Sequence, residues 1–194
     1  MLRLATRASA ATTGRVALFI RGGAARSYVA FDADAVASRT ARLLAAKEES
    51  GLSFDQIADK VGLTNAHTVQ LLLGQAKLKP DTAPKLKEAL PAISDLDVEA
   101  MQKFFPMRGF DEKIMQEPNV YRTYEAVTHY GEAIKLLINE QCGDGIMSAI
   151  DFYLDVGTTT GHLGEKRVVI TFNGKFLPHI EQAAVNNGAP SPRD

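Results

Sequence analysis

A chain of 194 residues with 45% hydrophobic content can form one compact domain or two small ones, and its composition excludes a disordered or fibrous polymer. Its longest apolar runs, such as Leu71 to Leu73, fall far short of the ~20 residues that cross a bilayer, so no membrane span is expected. Cys142 is the single cysteine, which excludes an intrachain disulfide.

Charge is spread unevenly. Residues 1–31 hold Arg3, Arg7, Arg15, Arg21 and Arg26 and no acidic residue, while all 23 acidic residues follow. Such an Arg-rich, Ser-rich, acid-free segment reads as an organellar leader, mitochondrial or otherwise, with Arg26-Ser27-Tyr28 as a processing point. The alternative is a disordered tail on a cytoplasmic protein. Both readings leave it outside the fold.

Residues 32–105 read as helices only. Ala35 to Lys47 is rich in Ala, with Val36, Leu43 and Leu44 as core. Ser53 caps a second helix and Gln56 completes a capping box; Ile57 and Val61 face inward and Gly62 stops the helix. Thr64 caps a third helix that Gly74 ends. Pro80 and Pro84 suit the start of a fourth, and Ser94 caps a fifth, with Leu96, Met101 and Phe105 inside. Short helices with tight turns define a helix-turn-helix bundle of the lambda-repressor-like type.

A connector, 106–118, is punctuated by Pro106, Gly109 and Pro118. One long amphipathic helix then opens at Tyr121-Arg122-Thr123-Tyr124-Glu125, its apolar stripe formed by Val120, Tyr124, Val127, Ile134, Leu137 and Ile138. Cys142 sits at its end as a small buried thiol. Gly143-Asp144-Gly145 turns into a strand from Ile146, on which Ser148 shares a face with Ile150, Phe152, Leu154 and Val156. Gly157 to Gly164 reads as a polar loop. Arg167 to Phe172 and Lys175 to Leu177 are the last strands, joined by a hairpin turn at Asn173-Gly174. Residues 181–194 read as a disordered tail. The fold class is therefore α+β, with a second unit over 119–180. Two or three strands and one helix make a poor independent core, so a homo-oligomer is expected.

The polar residues of this second unit point to chemistry. Arg122 and Glu125, three apart, are neighbours on a helix face that differs from the apolar stripe. Ser148 places a hydroxyl on an apolar strand face, where it needs a hydrogen-bonding partner. A bare ion pair at this spacing is ordinarily a solvated surface feature, and Gly143-Asp144-Gly145 by itself is only a turn.

These segments, with Gly145-Ile146-Met147-Ser148-Ala149-Ile150, resemble the cyanases (cyanate hydratases, or cyanate lyases). The similarity continues through Asp151 to Val156, Lys166 to Thr171 and Asn173 to Pro178. Upstream it takes in Gly62-Leu63 and Leu71 to Gln75, and it covers roughly Ser27 to Leu177. The resemblance implies bicarbonate-dependent decomposition of cyanate to ammonia and carbon dioxide through carbamate. It implies Arg122, Glu125 and Ser148 as the catalytic set, Arg122, Ser148 and the Ala149 backbone as the substrate contacts, and no cofactor or metal. It also implies a decamer of five dimers with sites between subunits. His67, His129, His162 and His179 are too scattered for a metal site, and His129, four residues beyond Glu125, is not in the family's catalytic set.

Two other classes compete. A helix-turn-helix regulator would need a basic face, yet residues 32–100 hold 8 basic and 11 acidic residues and the third helix has no Lys or Arg. No nucleic-acid partner is therefore expected. A scaffold without chemistry leaves the arginine, carboxylate and serine unexplained.

Overall fold

The computed structural model describes residues 32–106, 111–186 and 188. The Arg-rich leader, Gly109 of the connector and residues 187 and 189–194 of the tail lie outside these residues. The described residues belong to one compact unit.

Five helices come first: α1 (Ala33–Ser50), α2 (Phe54–Val61), α3 (Asn65–Leu72), α4 (Ala83–Ala89) and α5 (Asp95–Lys103). Their ends are set by the expected capping chemistry. Ser53 and Gln56 form a reciprocal capping box on α2, Thr64 accepts from the His67 N–H on α3, and Ser94 accepts from the Asp97 N–H on α5. Gly62 and Gly74 stop the chain with φ of 75° and 70°, a backbone conformation that costs glycine least. Gly74 also lies against α1, where a Cβ would come within 3.0 Å of the Val36 side chain.

The core is confined to this bundle. Leu43, Ile57, Val61, Leu71, Leu72, Leu78, Leu86, Leu90, Ile93 and Met101 are all buried, each worth about 1.5–3 kcal/mol of apolar burial. Asp97 of α5 receives both Nε and Nη2 of Arg42 on α1, at 3.0 and 2.6 Å, and the Ser94 hydroxyl at 2.9 Å. Two of the apolar residues expected inside α5 and its end are not there. Leu96 and Phe105 are exposed: Leu96 is the second helical residue after the Ser94 cap, and Phe105 lies beyond the helix end at Lys103 with the Lys77 ammonium 4.0 Å from its ring centroid.

A short 3-10 turn (Glu112–Gln116) leads to α6 (Pro118–His129) and α7 (Gly131–Cys142). The expected single long helix is thus two. They meet at Tyr130, with φ −96° and ψ 9°, before Gly131, whose helix-breaking tendency falls where the stripe pauses. Neither helix buries any residue, and Cys142 is exposed, not buried.

Next comes one antiparallel hairpin of β1 (Gly145–Thr160) and β2 (Lys166–Pro178), and a short 3-10 turn (Ala184–Asn186) follows it inside the stretch expected to be a disordered tail. Two expectations fail here. The polar stretch 157–160 belongs to β1, and the reversal lies at Gly161 to Glu165, closed by the Gly161 N–H donating to the Glu165 carbonyl at 2.7 Å. Asn173-Gly174 makes no turn; it runs inside β2, with Tyr153 opposite Asn173 and Phe152 opposite Gly174.

Candidate active site

The start of α6 is pinned by the side chain of Glu117, which accepts from the N–H groups of Asn119 at 2.8 Å and Val120 at 3.2 Å, with Pro118 at the first helical position. This places Arg122 and Glu125 on consecutive turns. The Arg122 Nη1 donates to Glu125 Oε2 at 2.5 Å, and both side chains remain largely open, at 71% and 50% of full exposure. The Glu125 carboxylate, chiefly by this hydrogen bond, raises the Arg122 pKa further above its already high value. Arg122 is therefore a fixed cation. The Tyr121 ring lies 5.4 Å from its guanidinium carbon, an added restraint on its direction.

Ser148 occupies a different environment. Between the pairs Met147–Phe176 and Phe152–Gly174, four residues of β1 stand against Lys175 alone. This wide bulge carries Ser148 and Ala149. The odd number of extra residues reverses the alternation, so Met147, not Ser148, shares the face of Phe152, Leu154 and Val156. The expected alignment of Ser148 with those residues is thereby overturned. The Ser148 side chain turns inward, the one buried residue of β1, and its Oγ accepts from the N–H groups of Ile150 at 3.1 Å and Asp151 at 3.0 Å. The hydroxyl fixes the bulge and keeps its own proton free to donate. Ala149 and Ile150 are exposed beside it. Lys175 reaches back across the bulge to Asp151 at 3.6 Å.

Within the chain, Arg122 and Glu125 are brought together and Ser148 is not bonded to either. His129 stacks edge-on against Tyr130, with ring centroids 4.9 Å apart. Among the described residues no group of three or more His, Cys, Asp and Glu side chains is placed to hold a metal ion, and no helix is long and apolar enough to cross a membrane.

One residue of consequence departs from its sequence expectation, and another carried no signal. Gly174 serves close backbone approach and not a turn; the signal was a glycine opposite the Ser148 segment rather than the Asn-Gly pair itself. Asn65, the first residue of α3, bonds to the Val156 backbone of β1. The position a regulator would turn toward DNA thus faces the chain's own hairpin.

A five-helix bundle followed by two surface helices and a bulged hairpin, with a paired arginine on the helix and a buried serine in the bulge, defines an α+β protein. Family models described as "Cyanate hydratase, N-terminal" and "Cyanate lyase C-terminal domain" match residues 37–104 and 112–181. The chain is 67% identical over 160 residues to a cyanate hydratase of Phaeodactylum tricornutum, covering 82% of this chain and 83% of that protein. A cyanate hydratase of Arabidopsis thaliana is 54% identical over 149 residues, covering 77% and 88%. The crystal structure of a cyanase from T. urticae matches with a TM-score of 0.61 at 32% identity, covering 73% of this chain and 97% of that one. The chain belongs to the cyanate lyase family, and the regulator alternative is not favoured.

Proposed function

We propose that this protein is a cyanate lyase that decomposes cyanate in a bicarbonate-dependent reaction. Cyanate and bicarbonate join at the cyanate carbon; with one proton the adduct releases carbon dioxide and leaves carbamate. A second proton then yields ammonia and another carbon dioxide. Two anions must be held together against mutual repulsion, and a guanidinium does this through planar, permanently charged donors.

In this reading Arg122 holds the anions and stabilises charge as the adduct forms. Glu125 orients Arg122 and takes part in proton transfer. Ser148 donates its free hydroxyl proton to a substrate oxygen or nitrogen, with the Ala149 N–H beside it, and is not a covalent nucleophile. No cofactor or metal takes part; bicarbonate is the co-substrate.

The observation that carries the reading is the restrained, exposed Arg122–Glu125 pair on a helix whose apolar residues Tyr124 and Val127 are also uncovered. A cation held ready beside unburied apolar surface suits a site closed by another subunit. The functional unit is accordingly a homo-oligomer, a decamer of five dimers, in which residues 32–105 serve assembly and 119–180 serve dimerisation and catalysis. The Arg-rich residues 1–31 act as an organellar targeting segment.

The test is ammonia release by the purified protein given cyanate, with and without bicarbonate. Turnover only when bicarbonate is present is expected. Equal turnover in carbonate-free buffer points to simple hydrolysis and overturns the reading.

A further inference from the structure

A two-stranded hairpin leaves each strand one unpaired edge, and an unpaired edge is a template for another chain. β1 is the longer strand, 16 residues, with β2 on one side only. In an antiparallel ladder the N–H and C=O of one residue point the same way and alternate along the strand. Val156 turns both groups away from β2. There they meet one side chain: Asn65 Nδ2 donates to the Val156 carbonyl at 2.8 Å, and the Val156 N–H donates to Asn65 Oδ1 at 3.2 Å.

This reciprocal pair is what a neighbouring strand would supply. An amide alone offers a donor and an acceptor side by side for it. Its orientation is enforced from the other side, where the second Nδ2 proton goes to Asp55 Oδ1 at 2.7 Å; a carboxylate accepts only, so the nitrogen must face it. The cap of α3 makes no demand on Asn65, since Thr64 performs that role. The side chain is free for the strand.

We propose that Asn65 is an edge cap: its amide takes the place of a strand at Val156, fixing the helical bundle to the hairpin and closing that edge of β1 to a second copy of this chain. The groove beside the contact, about 290 Å³, has Asp55, Asp59 and Asp155 among its lining residues, together with apolar ones such as Ala58 and Leu63. Any strand approaching this edge from another copy must pass a cluster of carboxylates, a second device of the same kind. Assembly is thereby directed to the open faces of the hairpin and to α6 and α7, away from this edge.

The test uses Asn65→Ala and Asn65→Asp in the full chain, with hydrogen–deuterium exchange read at single amides and light scattering over a concentration series. Asp suits the first turn of a helix, so the second variant keeps α3 while setting a carboxylate against the Val156 carbonyl and Asp55. In Asn65→Ala the Val156 amide, left without its acceptor, is expected to exchange about tenfold faster, and in Asn65→Asp, which keeps an acceptor but loses the donor to the Val156 carbonyl, the increase is expected to be smaller. In both, Asp155 and Gly157 are expected to be unchanged, and species larger than the parent assembly are expected to appear with concentration. Unchanged exchange at Val156, or equal acceleration at all three amides, which marks melting of the hairpin, overturns the cap. Faster exchange at Val156 without larger species overturns the closing of the edge.

Discussion

Gly174 faces Ser148 across the hairpin so closely that a Cβ on the glycine would collide with the Ser148 carbonyl and the Met147 side chain. The bulge that turns the serine inward therefore depends on the absence of a side chain on the opposite strand. Gly174→Ala is expected to destabilise the protein by about 1–3 kcal/mol, the usual cost of overpacking, and to lower turnover because Ser148 is displaced. Thermal unfolding and ammonia release measure the two effects; a variant unchanged in both removes the link between Gly174 and the site.

Arg122→Lys keeps the charge and the distance to Glu125 within reach, yet loses the planar fork that grips two carboxylate-like oxygens. Most of the activity is expected to disappear while size-exclusion chromatography shows the assembly intact. Near-normal turnover contradicts the role given to the guanidinium.

For Ser148→Ala two effects are expected together. The Ile150 and Asp151 N–H groups lose their acceptor, at about 1 kcal/mol each where water cannot replace it, and kcat falls more than KM rises. Unchanged kinetics with lowered stability would confine Ser148 to shaping the bulge.

Acid sensitivity follows from Asp97. Chiefly the Arg42 hydrogen bonds, helped by the Ser94 hydroxyl, hold its carboxyl below the ordinary value of 3.8. A carboxyl lowered on folding contributes stability that is complete above its unfolded value and is lost as pH falls through the folded one. Because Arg42 is 58% exposed, the contribution is only about 1 kcal/mol. Asp97→Asn is expected to be less stable at neutral pH and to lose less further stability below about pH 4, as read from urea midpoints across pH; parallel curves for the two proteins contradict the assignment.

The bundle was legible in the sequence because its signals are local. Ser53 with Gln56, Thr64, Ser94, Gly62 and Gly74 each act within one helical turn, and the structure uses them as expected. The hairpin was less legible because its register depends on residues distant in sequence. The four-residue bulge at Ser148 cannot be seen without Lys175 and Gly174 opposite, and strict alternation placed the serine on the wrong face. Asn173-Gly174 carried a strong turn pattern that the close approach of two backbones overrode. Arg122 and Glu125 were legible as a surface pair, since an i, i+3 spacing needs only the helix. The apolar stripe of α6 and α7 signalled a packing face, yet nothing within the chain covers it: Tyr124 and Leu137 are more than half exposed.

The account rests on Arg122 of one subunit meeting Ser148 of another, and subunit mixing tests this most directly. Arg122→Lys and Ser148→Ala proteins, each expected to be nearly inactive, are dissociated together and reassembled at equal amounts, and ammonia release from cyanate and bicarbonate is measured. A site that draws the two residues from different subunits is rebuilt intact in roughly a quarter of random pairings, so activity well above either parent is predicted. A mixed assembly as inactive as its parents would contradict a site shared between subunits.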